Sequence, residues 1–449
     1  MEKTISSVKP RVEVHSHTHF SNIRLIDSTN KPKDLVKYAM EIGLKGIAVT
    51  DHEVLSGHVE LNMLQQEIKE TNPDFKIMLG NEIYLVGARE KKQKYYHFLL
   101  IAKNKDGHRA LRELSSNSWL NSYWDGPLER VPTLYSEMEA IMKKYPGSLI
   151  ATTACLGGEL STLTAKLIDA ENVGDTATAQ ASHQGIINFM LWGKEVFGDD
   201  FYVECAPGAS LDQIKVNKRL VSIAKAFNLK MVIGCDAHYL TKADRYVHKS
   251  FLNSKHGERE VDEFYEYCYL QNEEEILENL QASDFDKDFV YQMFDNSMEI
   301  YEKVEEYSLL HKSVIPQVHI KEEAATAIDF KNYPILESLY NSKDKAERYW
   351  INNCLNVLNK KEKNNELHFP IEDYYSRLEE EADIQKVISE KLETNMFNYP
   401  ITLQHYINLF WECGSIVGAG RGSACAGLNH YLMGITQLDP LQWSLPYWR

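Results

Sequence analysis

Arg11-Val-Glu-Val-His15-Ser-His17-Thr-His19 is the stretch that decides the fold. A short β-branched run leads into histidines at every second position, and strand alternation predicts that all three imidazoles share one face. Two of them can then hold one cation. Expression tags also cluster histidines, but tag residues are consecutive, whereas these are interleaved and followed by structured sequence.

The same arrangement recurs downstream. Gly46-Ile-Ala-Val-Thr50, Lys76-Ile-Met-Leu-Gly80, Tyr95-Tyr-His-Phe-Leu-Leu-Ile101, Ser148-Leu-Ile-Ala-Thr152, Phe201-Tyr-Val-Glu204 and Lys230-Met-Val-Ile-Gly234 read as further strands. Stretches between them, such as Lys33 to Ile42 and Ser210 to Phe227, carry apolar residues at helical spacing. Repeated βα units predict a parallel sheet, open or closed. Polar residues of chemical interest fall at the C-terminal ends of most strands, the face on which barrels build their sites. A distorted α/β barrel is therefore expected rather than an open doubly wound sheet.

After about residue 265 the pattern becomes helical, with Asn272 to Ile300, Lys343 to Leu358 and Tyr374 to Asn395 as helices and Lys360 to Asn365 as a solvated charge run. A boundary near 280 divides the chain into 1–280 and 281–449. No repeat or low-complexity segment interrupts it.

A length of 449 residues suits two or three domains, and 43% hydrophobic residues suffice for sizeable cores. A net charge of -16 excludes a surface that grips nucleic acid all round, yet permits a local basic groove. It also fits a chain that gathers carboxylates around divalent cations. Seven cysteines without regular spacing give no disulfide framework and point to a reducing, cytoplasmic compartment. The polar start from Met1 to Arg11 is not a signal peptide, and no run approaches the roughly 18 apolar residues of a membrane span. A soluble protein without a membrane partner is expected.

Candidate ligands accumulate at the strand ends. His15 and His17 are joined by Asp27, by His52 in Thr50-Asp-His52, by Glu82 after Leu79-Gly80, by His97, by Cys155 and by Asp236-Ala-His238. Imidazole, carboxylate and thiolate together suit zinc, manganese or iron better than magnesium or calcium. Singly, each has an ordinary explanation: a buried cysteine is a small hydrophobe and an Asp after a strand is a helix cap. Their joint recurrence at successive strand ends is what points to metal.

With these motifs in view, residues 11 to 240 resemble the polymerase and histidinol phosphatase (PHP) domain, in the version found at the N-terminus of bacterial replicative C-family DNA polymerases, the polymerase III alpha subunits. Ile47-Ala-Val-Thr-Asp-His52, Leu79-Gly-Asn-Glu82, Thr153-Ala-Cys-Leu-Gly-Gly-Glu159 and Asp236-Ala-His-Tyr239 carry the likeness to the polymerase branch. It implies a (β/α)7 barrel in which His15, His17, Asp27, His52, Glu82, His97, Cys155, Asp236 and His238 bind up to three divalent ions, Zn²⁺ or Mn²⁺. His17, Asp236 and His238 would carry catalysis. Asn22 to Asp27 is longer than the family's loop, making Asp27 the least secure ligand, and His19 falls where the family has none. The implied chemistry is phosphodiester hydrolysis, with cations polarising the phosphoryl group and acidifying bound water. In a polymerase the corresponding activity is a 3′→5′ proofreading exonuclease.

Near the C-terminus stands Gly414-Ser-Ile-Val-Gly-Ala-Gly-Arg-Gly-Ser423. Ser423 replaces the last glycine of a dinucleotide fingerprint, and the ending of a P-loop is absent. Gly420-Arg-Gly-Ser-Ala424, Tyr431 to Thr436 and Asp439-Pro-Leu441 instead are similar to the start of the C-family palm, a polymerase-beta-like fold. Upstream, Tyr375 to Glu381 and Tyr399 to Trp411 also fit that family. The resemblance implies that Arg421, Gly422 and Ser423 help place an incoming nucleoside triphosphate. In the family the carboxylates that bind the catalytic Mg²⁺ come after the point matching Arg449. The expectation is an N-terminal portion of a DNA-directed DNA polymerase, partnered by DNA, dNTP, a C-terminal polymerase part and other replisome components. It would be a truncated form, one half of a split or intein-interrupted gene, or a chain that assembles with its remainder. Two other classes compete: a non-catalytic scaffold docking a replisome partner, and a small-molecule phosphoesterase, which leaves residues 280 to 449 without a role.

Overall fold

The computed structural model describes residues 8–23, 26–254, 263–320 and 327–448. Met1 to Ser7 of the polar start, Arg24 and Leu25 of the loop before Asp27, and Arg449 lie outside the described residues. The chain forms two compact units, Met1–His311 and Lys312–Arg449.

Among the described residues the first unit has ten strands: β1 (Val12–Glu13), β2 (Gly46–Val49), β3 (Lys76–Val86), β4 (Tyr96–Ala102), β5 (Tyr123–Asp125), β6 (Leu128–Arg130), β7 (Thr133–Leu134), β8 (Leu149–Thr152), β9 (Phe201–Cys205) and β10 (Met231–Ile233). Its helices are α1 (Pro32–Glu41), α2 (His58–Lys69), α3 (Lys105–Leu120), α4 (Tyr135–Lys144), α5 (Glu159–Val173), α6 (Thr176–Phe197), α7 (Leu211–Ala226), α8 (Arg245–Leu252), α9 (Glu273–Gln281) and α10 (Lys287–Lys303). All seven expected strands are present, in the order β1-β2-β3-β4-β8-β9-β10, with β7 beside β3 and β5-β6 as a separate hairpin. A parallel bridge between Ser16 and Ala237, with His17 N–H donating to Ala237 O at 3.0 Å, draws the two ends together into a nearly closed barrel.

One expectation changes. β4 is antiparallel to both β3 and β8 rather than parallel. The link from 87 to 95 contains no helix, and only a long crossover, usually helical, returns a chain to a parallel neighbour. The reversal matters for the site, because it places the N-terminal end of β4, with His97, at the rim where the other strands end.

Alternation sorts the side chains. Val12, Ala48, Met78, Leu99, Ile101, Ile150, Tyr202 and Val232 fill the barrel interior, and Ile300 of α10 and Val304 just after that helix join them. Ile47, Val49, Leu79, Leu100, Val203 and Ile233 face outward to the helices. Each contributes about 1.5–3 kcal/mol on burial. The expected division near 280 and the compact division after His311 differ by residues 281–311, which hold α10. That helix is bonded to the barrel: Val12 N–H donates to Ser297 Oγ at 3.1 Å and Asn296 Nδ2 to Met231 O at 2.7 Å.

The second unit comprises α11 (Pro334–Tyr340), α12 (Lys345–Lys363), α13 (Ile371–Leu392), α14 (Asn398–Glu412) and α15 (Leu428–Leu432). Trp350, Leu355, Tyr374, Leu378, Phe397 and Leu428 form its core. The chain around Gly422–Ala426 is pinned from α13. Arg377 Nη2 donates to Ala426 O at 2.7 Å, and buried Glu381 accepts from the N–H groups of Leu428 and Asn429 at 2.7 and 2.9 Å. Among the described residues no helix is long and apolar enough to cross a membrane.

Candidate metal centre

β1 ends at Glu13, yet the next residues still lie against the barrel, and this brings His15 and His17 to one point with Nε2 atoms 3.1 Å apart. His19 does not join them. The chain coils into a 3-10 turn from His19 to Ile23, so alternation stops, and the exposed ring stacks on Phe20 instead.

The remaining ligands converge on the same pocket. Glu82, on β3, lies at its centre: its carboxylate is 3.4 Å from His15 Nε2, 3.4 Å from His17 Nε2, 2.8 Å from His52 Nδ1 and 2.8 Å from His97 Nδ1. Asp236 Oδ1 is 3.2 Å from both His15 Nε2 and His17 Nε2. Asp27 Oδ2 bridges His52 Nε2 at 2.8 Å and His238 Nε2 at 3.0 Å. Cys155 Sγ is 3.7 Å from His97 Nδ1. The structure thus gathers all nine predicted positions, whereas Arg421, Gly422 and Ser423 are exposed residues of the second unit.

Three donor groups overlap here: His15, His17, Glu82 and Asp236; His17, His52 and His238; and His52, Glu82 and His97, the donor atoms of each lying within 4.8 Å of one another. Glu82 Oε2, Asp236 Oδ1 and His52 Nδ1 are buried and make no aligned hydrogen bond, having instead close contacts with one another or with His15 and His17. Such groups are costly unless a charge compensates them, so the donor set fits divalent cations.

The electrostatics agree. Burial penalises the charged form of every group, but neighbours outweigh it at several. Glu204, Asp236 and Glu82 raise His15 well above the usual imidazole range. His97, His52 and His15 hold Glu82 well below the carboxylate range, and His238 and His52 do the same for Asp27. His17 is pushed down to about 3 by burial and by the charges of His52 and His238. Burial, then Asp236 and Glu82, push the Cys155 thiol up. Without a cation the pocket holds mutually protonating acids and bases; with one, neutral imidazoles and ionised carboxylates suffice.

Several contributors escaped the sequence reading. Glu204 Oε1 lies 2.6 Å from His15 Nδ1, leaving Nε2 for the centre, and Thr152 Oγ1 donates to its other oxygen. A second-sphere carboxylate of this kind orients a ligating histidine. The signal was there: Glu204 shares the inward face of β9 with Tyr202, at the strand's C-terminal end. Asp51 accepts from Thr18 N–H at 2.6 Å, Thr18 Oγ1 at 2.8 Å and Ser21 Oγ at 2.7 Å, bracing the turn after His17. Tyr265 Oη donates to Asp27 Oδ1 at 3.1 Å, and His248 Nε2 bonds Asp27 O at 2.7 Å. These two lie far along the chain and carried no motif.

Close approach also explains two glycines. A Cβ at Gly157 would come within 2.9 Å of the His97 ring, and one at Gly234 within 2.5 Å of Glu204 Oε1. Asp236 and Ala154, at φ 50° and 57°, adopt left-handed backbone beside or at ligand positions. Side chains there store roughly 1–3 kcal/mol of strain.

Comparison with known proteins matches residues 13–207 to the PHP domain family and residues 346–449 to the bacterial DNA polymerase III alpha NTPase domain family. A DNA-directed DNA polymerase of Bacillus phage SPbeta is 40% identical over 97% of this chain and 35% of its own length. The DNA polymerase III subunits alpha of Borreliella burgdorferi and Campylobacter jejuni are 26% and 28% identical, each over 97% of this chain and 34% of their own length. The chain spans about a third of the length of these curated relatives. Strand-end ligands, barrel and matched segments agree: the chain carries a PHP domain and is homologous, over nearly all its length, to the DNA polymerase III alpha subunits.

Proposed function

We propose that this chain is the N-terminal portion of a DNA-directed DNA polymerase of the III alpha type and that its PHP centre is a metal-dependent 3′→5′ exonuclease acting on DNA. The observation that carries the reading is the convergence of nine donors on one pocket, seven of them in three overlapping groups, with Asp27 and Cys155 beside these. Ionisable groups buried together at such desolvation cost favour bound cations, and the likeness to the polymerase branch favours DNA as what those cations act on.

His15, His17, Asp27, His52, Glu82, His97, Cys155, Asp236 and His238 would hold the cations, Zn²⁺ or Mn²⁺. Bound cations supply Lewis acidity toward a phosphoryl oxygen and toward water. The protein's own part is positioning. Glu204 fixes the His15 ring so that Nε2 points inward, Tyr265 and His248 hold Asp27 at both its carboxylate and its carbonyl, and Glu82 keeps four imidazoles around one carboxylate.

In this reading residues 1–280 are the phosphoesterase domain and residues 281–449 begin the polymerase palm. Arg421, Gly422 and Ser423 would contact the triphosphate of an incoming dNTP. Nucleotide addition, with its Mg²⁺, belongs to the assembly of this chain with further polymerase segments such as the longer relatives contain. DNA and other replisome components are its partners, and the cytoplasm its compartment.

The test is degradation of 5′-labelled single-stranded DNA by the metal-loaded chain, with Zn²⁺, Mn²⁺ and Mg²⁺ compared. Stepwise shortening from the 3′ end, lost in Asp236→Ala and His17→Ala together with metal, is the expected result. Intact DNA with every metal would sink the exonuclease reading, and faster turnover of phosphomonoesters than of DNA would replace it with a small-molecule phosphoesterase.

A further inference from the structure

The stretch from Tyr399 to Trp411 fits the polymerase family by sequence, yet neither the metal centre nor the triphosphate residues use it. Its helix, α14, has two unlike halves. Asn398, Pro400, Ile401, Thr402 and Gln404 are buried, and Ile401 belongs to the core of the second unit. Gln404 is held at both ends of its amide: Tyr349 Oη donates to Oε1 at 2.9 Å, and Nε2 donates to Met433 O at 3.0 Å. Beyond it the helix leaves that core. From His405 to Ser423 every residue is exposed except Ile407 and Val417, which are half-buried.

The exposed half is apolar. Tyr406, Leu409, Phe410 and Trp411 fall around more than half of the helix circumference, with Phe410 54% and Trp411 45% exposed, and Ile416 follows at 92%. Helices apolar over so much of their surface are normally buried, and a contiguous apolar patch on a folded protein marks an interaction site.

Charge and relatives together indicate what covers it. Residues 398–420 contain no Lys or Arg, so the rings lack the cations that a single-stranded nucleic acid's backbone requires. A second copy is opposed by the net charge of -16 on each chain. A further stretch of polymerase remains. The exposed half lies inside residues 346–449, matched to the bacterial DNA polymerase III alpha NTPase domain family, and the SPbeta polymerase matches over only 35% of its own length.

We propose that the C-terminal half of α14, with Ile416, is the docking surface for the polymerase polypeptide that the relatives carry outside the matched third. This rests on the polymerase part of the functional reading and not on the metal centre. The surface shortly precedes Arg421, Gly422 and Ser423 in the chain, so a polypeptide seated on it would stand next to the residues assigned to the triphosphate.

The experiment co-expresses the whole chain with the part of the SPbeta polymerase outside the matched 35%. The two should co-purify, and hydrogen exchange of amides 405–416 should be about tenfold slower in the complex than in the chain alone. Leu409→Asp/Phe410→Asp should weaken the complex by about 100-fold, while metal content and melting of the chain stay as in the parent. Leu120→Asp, at an exposed apolar position of α3, is the control and should bind like the parent. No complex, or equal binding by the double variant, overturns the assignment. Protection of 405–416 without the partner also overturns it: concentration-dependent protection means a second copy, concentration-independent protection means cover from the chain itself, and protection by an oligonucleotide means DNA. Nucleotide addition by the co-purified pair, given Mg²⁺ and dNTP, separates the two readings. Addition at the parental rate by the double variant removes this surface and leaves the polymerase reading, whereas a complex lost in the double variant but without addition in the parent does the reverse.

Discussion

Glu204 and His15, 189 residues apart, meet at 2.6 Å with both side chains fully buried. The carboxylate takes Nδ1–H and leaves Nε2 as the only free donor of that ring. Glu204→Gln keeps the shape but not the charge, so it should weaken binding of the most tightly held ion by about 10- to 100-fold. Competition against a chromophoric chelator measures this, and unchanged affinity would show that Glu204 is merely packed.

Gly234 tests the same contact sterically. An added methyl would meet Glu204 Oε1 at 2.5 Å and the His15 Cβ at 2.9 Å. Gly234→Ala should therefore lower metal occupancy and destabilise the barrel by about 1–3 kcal/mol, seen as lost metal by mass spectrometry and an earlier urea midpoint. Gly87→Ala is the control, since its backbone, like that of Gly234, is not left-handed and nothing lies near the new methyl.

Metal removal should be visible in stability. Cations that bind only the folded barrel at about 100 times their dissociation constant add about 2.7 kcal/mol per site. Chelation should lower the melting temperature of the first unit by roughly 5 °C or more, with recovery on adding Zn²⁺ or Mn²⁺. Identical melting with and without chelator would argue that the pocket binds no ion.

Away from the centre, His58 and His108 are buried with Nδ1 and Nε2 3.1 Å apart, and His58 Nε2 bonds Gly80 O at 2.9 Å. Burial and the neighbouring His108 push His58 down to about 3, while burial and Arg112 push His108 down to about 4. Both are neutral in the folded protein, whereas unfolded imidazoles titrate near 6.5. The unfolded chain binds more protons below 6.5, so this contribution is complete above that pH and is lost as pH falls toward 4. His108→Gln should flatten the fall in unfolding free energy over this window by about 1 kcal/mol per pH unit; parallel curves for variant and parent would refute the linkage.

Glu381 in the second unit accepts from two backbone N–H groups, Asn429 Nδ2 and Arg377 Nε while fully buried. Glu381→Ala leaves those donors unsatisfied and should cost that unit about 3–5 kcal/mol. The metal-dependent transition of the first unit should stay where it is, as followed by chelator-sensitive melting.

The positions of the seven main strands and the nine convergent residues were legible because both depend on local order; the short strands β5, β6 and β7 were not expected. A strand presents alternate residues to one face, so an HxH or DxH at its end sends both ligands the same way with no knowledge of the rest. His19 shows the limit of that rule: the alternation holds only while the backbone stays extended, and the turn at residue 19 ends it. What the tertiary structure alone decided are the relations set by distance in the chain. The reversal of β4 follows from a link without a helix. The pairings of Glu204 with His15 and of Tyr265 with Asp27 arise because barrel closure brings β1 beside the β10 end. Sequence alone determined which chemical groups this protein owns and at which strand ends they stand; closure of the barrel decided which of them touch, since a contact between distant residues is set by the packing of the whole sheet and not by either residue's neighbours.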